Sequence, residues 1–69
     1  MSFGAKFRIL REAKGMPRSG CEEVFSLMHG TVSNWENGYE EPEEELLPVI
    51  AGFFGVKIRD LMNGTPLAG

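Results

Sequence analysis

The sequence predicts an all-α protein, a compact bundle of five short helices. Apolar residues recur at three- and four-residue spacing in successive segments, the period of a helical face. Gly15, Gly38 and Gly55 punctuate those segments where helices would stop. No stretch of useful length alternates apolar with polar side chains as a half-buried strand does, and no internal repeat or low-complexity tract interrupts the 69 residues.

The first helix is expected over about residues 3–14. Ser2 is its N-cap candidate, and Phe3, Phe7, Leu10 and Ala13 form its inner face, with Lys6, Arg8, Arg11 and Lys14 on the others. Gly15 then supplies a stop, and Pro17 starts a new element near Arg18. A short second helix over about 18–26 follows, its apolar stripe being Cys21, Val24, Phe25 and Met28, although Gly20 weakens it. Gly30 marks a turn or a weak first helical turn. The third helix is expected over about 31–37, with Val32 and Trp35 inward, Ser33 and Asn34 outward, and Asn37 and Gly38 as its end.

The segment from Gly38 to Glu45 is turn-like and acidic. Glu43, Glu44 and Glu45 fall in the first turn of a fourth helix, where the macrodipole favours negative charge. Pro48 is tolerated there because first-turn N–H groups have no intrahelical acceptor to lose. Leu47, Ile50, Ala51 and Phe54 form the buried face of this helix, Gly55 ends it, and Val56, Ile58, Leu61 and Met62 suggest a fifth. One domain over residues 1–64, with 65–69 as a flexible tail, is the expected organisation.

At 69 residues and 42% hydrophobic content, the chain is close to the smallest size that folds on one apolar core. The lone Cys21 excludes an intrachain disulfide and a cysteine-based metal cluster, and fits a reducing compartment. No apolar run approaches the roughly 18 residues that cross a bilayer, and Lys6, Arg8 and Arg11 break up the N-terminal segment. A cytoplasmic protein with no membrane contact is expected. The net charge of −3 has the wrong sign for a generic phosphate binder. That charge is segregated: residues 1–18 hold five basic side chains against Glu12, whereas residues 19–56 hold eight glutamates and no lysine or arginine.

Four segments, ILREAKGM, TVSNWENG, a proline at Pro42 and LLPVIAGFFGVKIRDLMNG, resemble the helix-turn-helix superfamily of phage repressors, Cro proteins and xenobiotic-response-element regulators. The resemblance covers about residues 3–64 and rests on the WENG and AGFFGV blocks at their mutual spacing. It implies a lambda-repressor-like five-helix bundle and a function, sequence-specific binding of double-stranded DNA in transcriptional regulation. In that mechanism the third helix lies in the major groove while the second crosses the phosphate backbone. Homodimers of such proteins bind two-fold symmetric operators whose half-sites lie about one helical turn apart.

Carried onto this sequence, the resemblance implies that Met28, His29, Gly30, Thr31, Ser33 and Asn34 face the groove. Asn34 is the best candidate for direct readout, because its amide is able to pair bidentately with adenine N6 and N7. Thr31 and Ser33 suit phosphate or base edges. Arg18 matches a phosphate-contacting position, Asn37 one whose amides meet the backbone, and Arg11 with Glu36 a partly buried salt bridge between the first and third helices. There are departures. Family members begin the second helix with Ser or Thr then Gln, place a small alanine where it packs on the third, and turn at glycine. Here those places hold Pro17, Arg18, Glu22 and Ser26. A carboxylate in the alanine slot is expected either to escape to solvent or to splay the two helices. The YEEPEEE segment after the third helix replaces the basic residues often found there, and would repel phosphates.

Several residues admit two readings. His29 suits a surface or capping role, a base contact or, without a second ligand at usable spacing, least of all a metal. Cys21 is a small core hydrophobe or a reactive thiol, and Trp35 a core residue or one partly exposed in the groove. The basic face of the first helix is ordinary solvation or a phosphate-contacting surface. Residues 40–45 are a solvated loop and helix cap, or an acidic docking surface for a basic protein partner. Phe53, Ile58, Leu61 and Met62 exceed what so small a core must bury, which suggests that some of them form a homodimer seam. One histidine, one cysteine and no phosphate loop argue against an enzyme, and no cofactor is implied. The alternative to a DNA reader is a helix-turn-helix fold that serves as a protein-interaction module, such as an antirepressor or antitoxin component.

Overall fold

Phe7 occupies the centre of the molecule, and the computed structural model, which describes residues 1–62, builds five helices around it. In chain order these are α1 (Phe3–Ala13), α2 (Arg18–Val24), α3 (Thr31–Glu36), α4 (Leu47–Phe54) and α5 (Ile58–Leu61). A single 3-10 turn, Glu44–Leu46, leads into α4. Among the described residues there is no strand, and no helix is long and apolar enough to cross a membrane. The proposed boundary at residue 64 and the 65–69 tail lie outside the described residues.

The caps follow from local chemistry. Ser2 Oγ accepts from the Ala5 N–H at 3.3 Å and starts α1. Gly15, Gly38 and Gly55 take positive φ just beyond the ends of α1, α3 and α4, a conformation that costs glycine nothing. α2 stops at Val24, two residues earlier than the apolar stripe predicts. Phe25 caps it, and Ser26 follows at φ 55°. Ser26 thus adopts the left-handed conformation that the resemblance assigns to a glycine, at a steric cost of about 1–2 kcal/mol. The early stop leaves Val24 and Met28 exposed, so neither belongs to the buried stripe.

α3 packs on both α1 and α2, and α5 on α4 and α1. The core between them is aromatic. Phe7 meets Trp35 edge-on at 5.3 Å between ring centroids and Phe54 at 5.5 Å, while Phe25 meets Phe53 at 5.3 Å. Cys21, Val32, Ile50, Ala51 and Leu61 complete it. Gly4 permits the closest approach: a β-carbon there would stand 2.0 Å from the carbonyl oxygen of Trp35, so α1 reaches this contact with α3 only through glycine.

Two expectations about α1 are corrected. Lys6 is fully buried instead of facing outward, and its Nζ donates to the Met62 carbonyl at the end of α5, whereas Ala13 is exposed. Arg11 is also buried. Of the four residues suggested for a dimer seam, Leu61 lies in the core and Phe53 packs in the aromatic cluster, and Ile58 and Met62 are exposed.

Candidate nucleic-acid interface

One turn, residues 25–30, separates α2 from α3 and decides how the candidate residues are presented. Its anchor is Glu22. This side chain is buried, and its Oε2 accepts from the Gly30 N–H at 2.9 Å and the Val32 N–H at 3.1 Å. Gly30, at φ 93°, has no side chain with which to cap α3, so a carboxylate from α2 performs that task from the preceding helix. The carboxylate neither escapes to solvent nor is left unpaired. It satisfies orphan N–H groups at the positive end of the helix dipole.

The other end of α3 is held by charge. Glu36, whose side chain is only 2% exposed, accepts from Arg11 Nε at 2.7 Å and Nη2 at 3.2 Å, and from Arg18 Nε at 3.1 Å. Arg11 Nη1 also donates to the Met16 carbonyl at 2.8 Å, which ties in the loop between α1 and α2. The hydrogen bond to Glu36 is the main cause that raises the Arg11 pKa above its ordinary value, with burial acting against it. Arg11 and Glu36 therefore meet in the pair that the resemblance implies, and Arg18 joins them. The Arg18 side chain stays 45% exposed beside this pair.

Between these anchors, Ser33, Asn34 and Asn37 share the outer face of α3. Asn37 Nδ2 donates to Ser33 Oγ at 3.3 Å. The exposed Asn34 carboxamide makes no hydrogen bond among the described residues, while its backbone carbonyl accepts from the Tyr39 N–H at 2.9 Å and the Glu40 N–H at 3.4 Å. Met28 and His29 project from the turn, and His29 Nδ1 lies 3.6 Å from Glu22 Oε1. Thr31 is placed differently from the rest. It is half-buried on the Trp35 side of α3 and lines a cleft beneath the acidic loop. Trp35 itself is a core residue.

The two residues that sequence reasoning missed in this role are Glu22 and Gly4. Glu22 stands out only as a departure in the alanine slot, and nothing local pairs it with N–H groups eight and ten residues away. Cys21 is fully buried against this junction, and burial pushes its thiol pKa up, partly offset by Arg11. Among the described residues no group of three His, Cys, Asp or Glu side chains is arranged to hold a metal ion. Comparison with protein-family models and with curated proteins finds no match to this chain.

Proposed function

We propose that this protein is a sequence-specific double-stranded DNA-binding regulator of the repressor and Cro type, with α3 as its recognition helix. The observation that carries this reading is Asn34. It is an exposed carboxamide without a hydrogen-bond partner among the described residues, on a short helix whose two ends are fixed by the buried groups Glu22 and Glu36. A side chain that reads base edges gains from a rigid support, and its amide matches the adenine major-groove edge. Arg18, His29 and Met28 flank it from α2 and the turn, with Ser33 and Asn37 beside it. We propose Arg18 and the backbone around Asn37 as phosphate contacts, which position the helix without reading sequence.

The regulator acts as a homodimer on this reading, since a two-fold operator doubles the few base contacts that one short helix is able to make. Ile58, Met62 and Val49, exposed on α4 and at α5, are the apolar side chains left for such a contact. The test is selection of the purified protein against a random duplex library at low salt. A palindromic motif should be enriched, and Asn34→Ala should relax preference at one position of each half-site while hardly changing the salt dependence. A protein shown folded by circular dichroism that enriches nothing would overturn the proposal.

A further inference from the structure

α3 and the segment that follows it enclose a groove of about 430 Å³, within the size range of small-ligand and side-chain pockets. Its apolar lining is Leu27, Trp35 and Leu46, all packed on the core, with Pro42 on the opposite wall. Its rim is Glu40, Glu41, Glu43 and Glu45, and no lysine or arginine lines it. Glu40, Glu43 and Glu45 form no ion pair among the described residues. We propose that this groove docks a basic segment of a partner protein, seating one apolar side chain on Leu27, Trp35 and Leu46 while flanking arginines or lysines meet the glutamates.

Charge complementarity selects the occupant. A groove whose rim is acidic throughout repels phosphates and acidic peptides and steers cationic ones towards it. The apolar floor adds what a solvated glutamate run lacks, a place where an anchoring side chain loses its water. A second copy of this chain offers one short stretch of basic and apolar side chains, the exposed Lys57, Ile58 and Arg59, and the oligomeric state separates it from a partner protein. In α1, Lys6 and Arg11 are buried, Arg8 pairs with Glu12, and Lys14 lies 4.9 Å over the Phe53 ring. The docking groove and the proposed reading face are distinct surfaces, since the groove lies on the Trp35 side of α3 and Asn34 on its exposed face.

Trp35 is the chain's single tryptophan and lines the groove, so its emission reports occupancy. The probe is a short synthetic peptide with one leucine between arginines, compared with the same peptide carrying serine for leucine. The leucine peptide should shift Trp35 emission saturably and move the amide resonances of Leu27, Thr31 and Leu46. Affinity should fall about tenfold with the serine peptide, and by a similar factor in the variant Glu40→Gln/Glu43→Gln/Glu45→Gln. Asn34→Ala should leave it unchanged, so a failure of duplex binding and a failure of docking are separate results. Equal binding of the two peptides would overturn the proposal, because charge alone would then explain it. So would unmoved Leu27 and Leu46 resonances, or self-association of the peptide-free protein that the triple variant abolishes, which would make the occupant a second copy. The two-peptide comparison is made on the unaltered protein and does not depend on the variant folding.

Discussion

Glu22 shows how one side chain changes the meaning of its position. Two N–H groups, of Gly30 and Val32 at the start of α3, depend on the Glu22 carboxylate. Glu22→Ala should therefore destabilise the fold by about 1–3 kcal/mol, the cost of leaving buried donors without an acceptor. Glu22→Gln, which keeps a carbonyl oxygen, should lose less; chemical denaturation of both variants measures the difference. If Glu22→Ala proved neutral or stabilising, the capping role would be wrong. Cys21, beside it, links stability to pH. Burial raises the thiol pKa in the folded state above its unfolded value, so the folded state resists losing the proton. That contribution is complete below the ordinary thiol pKa of about 8.5 and disappears as pH rises through the folded value. Stability should thus decline in alkaline solution above about pH 8.5, and Cys21→Ala should flatten the decline. Alkylation of the native protein should proceed only as fast as it opens.

At the scale of elements, helix identity was legible and helix support was not. Phe3, Phe7, Val32, Trp35, Ile50 and Ala51 sit at helical spacing, and all are buried as that spacing predicts. Periodicity counts charge as outside and so places Lys6 in solvent, yet a tertiary partner at Met62 brings it inward; the burial of Arg11 with Glu36 is what the resemblance implies and the period alone does not. Of the candidate residues, the outward placing of Ser33 and Asn34 follows from the helix period. Thr31 lies in the cleft because the long-range position of the 39–46 segment decides its surroundings. Gly4 left no signal, since a close approach between α1 and α3 depends on where the two backbones meet. The Arg11–Glu36 pair is the fastener of this level, joining α1 to the last residue of α3. Removing Arg11 leaves the 2% exposed Glu36 carboxylate with Arg18 as its one remaining basic partner among the described residues, so Arg11→Met should cost less than the roughly 3–5 kcal/mol of a fully uncompensated buried charge. Arg11→Met/Glu36→Leu should cost far less than the two single changes together, because buried ion pairs nearly break even against apolar replacements. Additive losses in a double-mutant cycle would show that the pair has no coupling energy.

Across the whole molecule, the decisive property is where the charge lies. Eight glutamates fall between residues 19 and 56, and two of them, Glu22 and Glu36, are sequestered as caps and ion-pair partners. The glutamates from 40 to 45 are exposed, and the Glu40 N–H is bonded to the carbonyl of Asn34, the proposed base reader. A phosphate backbone brought to α3 would therefore meet negative charge within the roughly 10 Å screening distance of 0.1 M salt. On the DNA reading this acidic segment weakens binding without touching specificity. The variant Glu40→Gln/Glu43→Gln/Glu45→Gln should bind its selected duplex roughly fivefold more tightly at low salt, with the gain shrinking as salt screens the repulsion. Its preferred sequence should not change, since none of the three side chains lies on the face of Asn34. The same variant should hold the arginine peptide less well, so one set of substitutions moves two affinities in opposite directions. Duplex titrations at two salt concentrations, paired with the peptide titration, measure both. A duplex affinity that stays the same or falls would mean that phosphates do not approach α3 from this side.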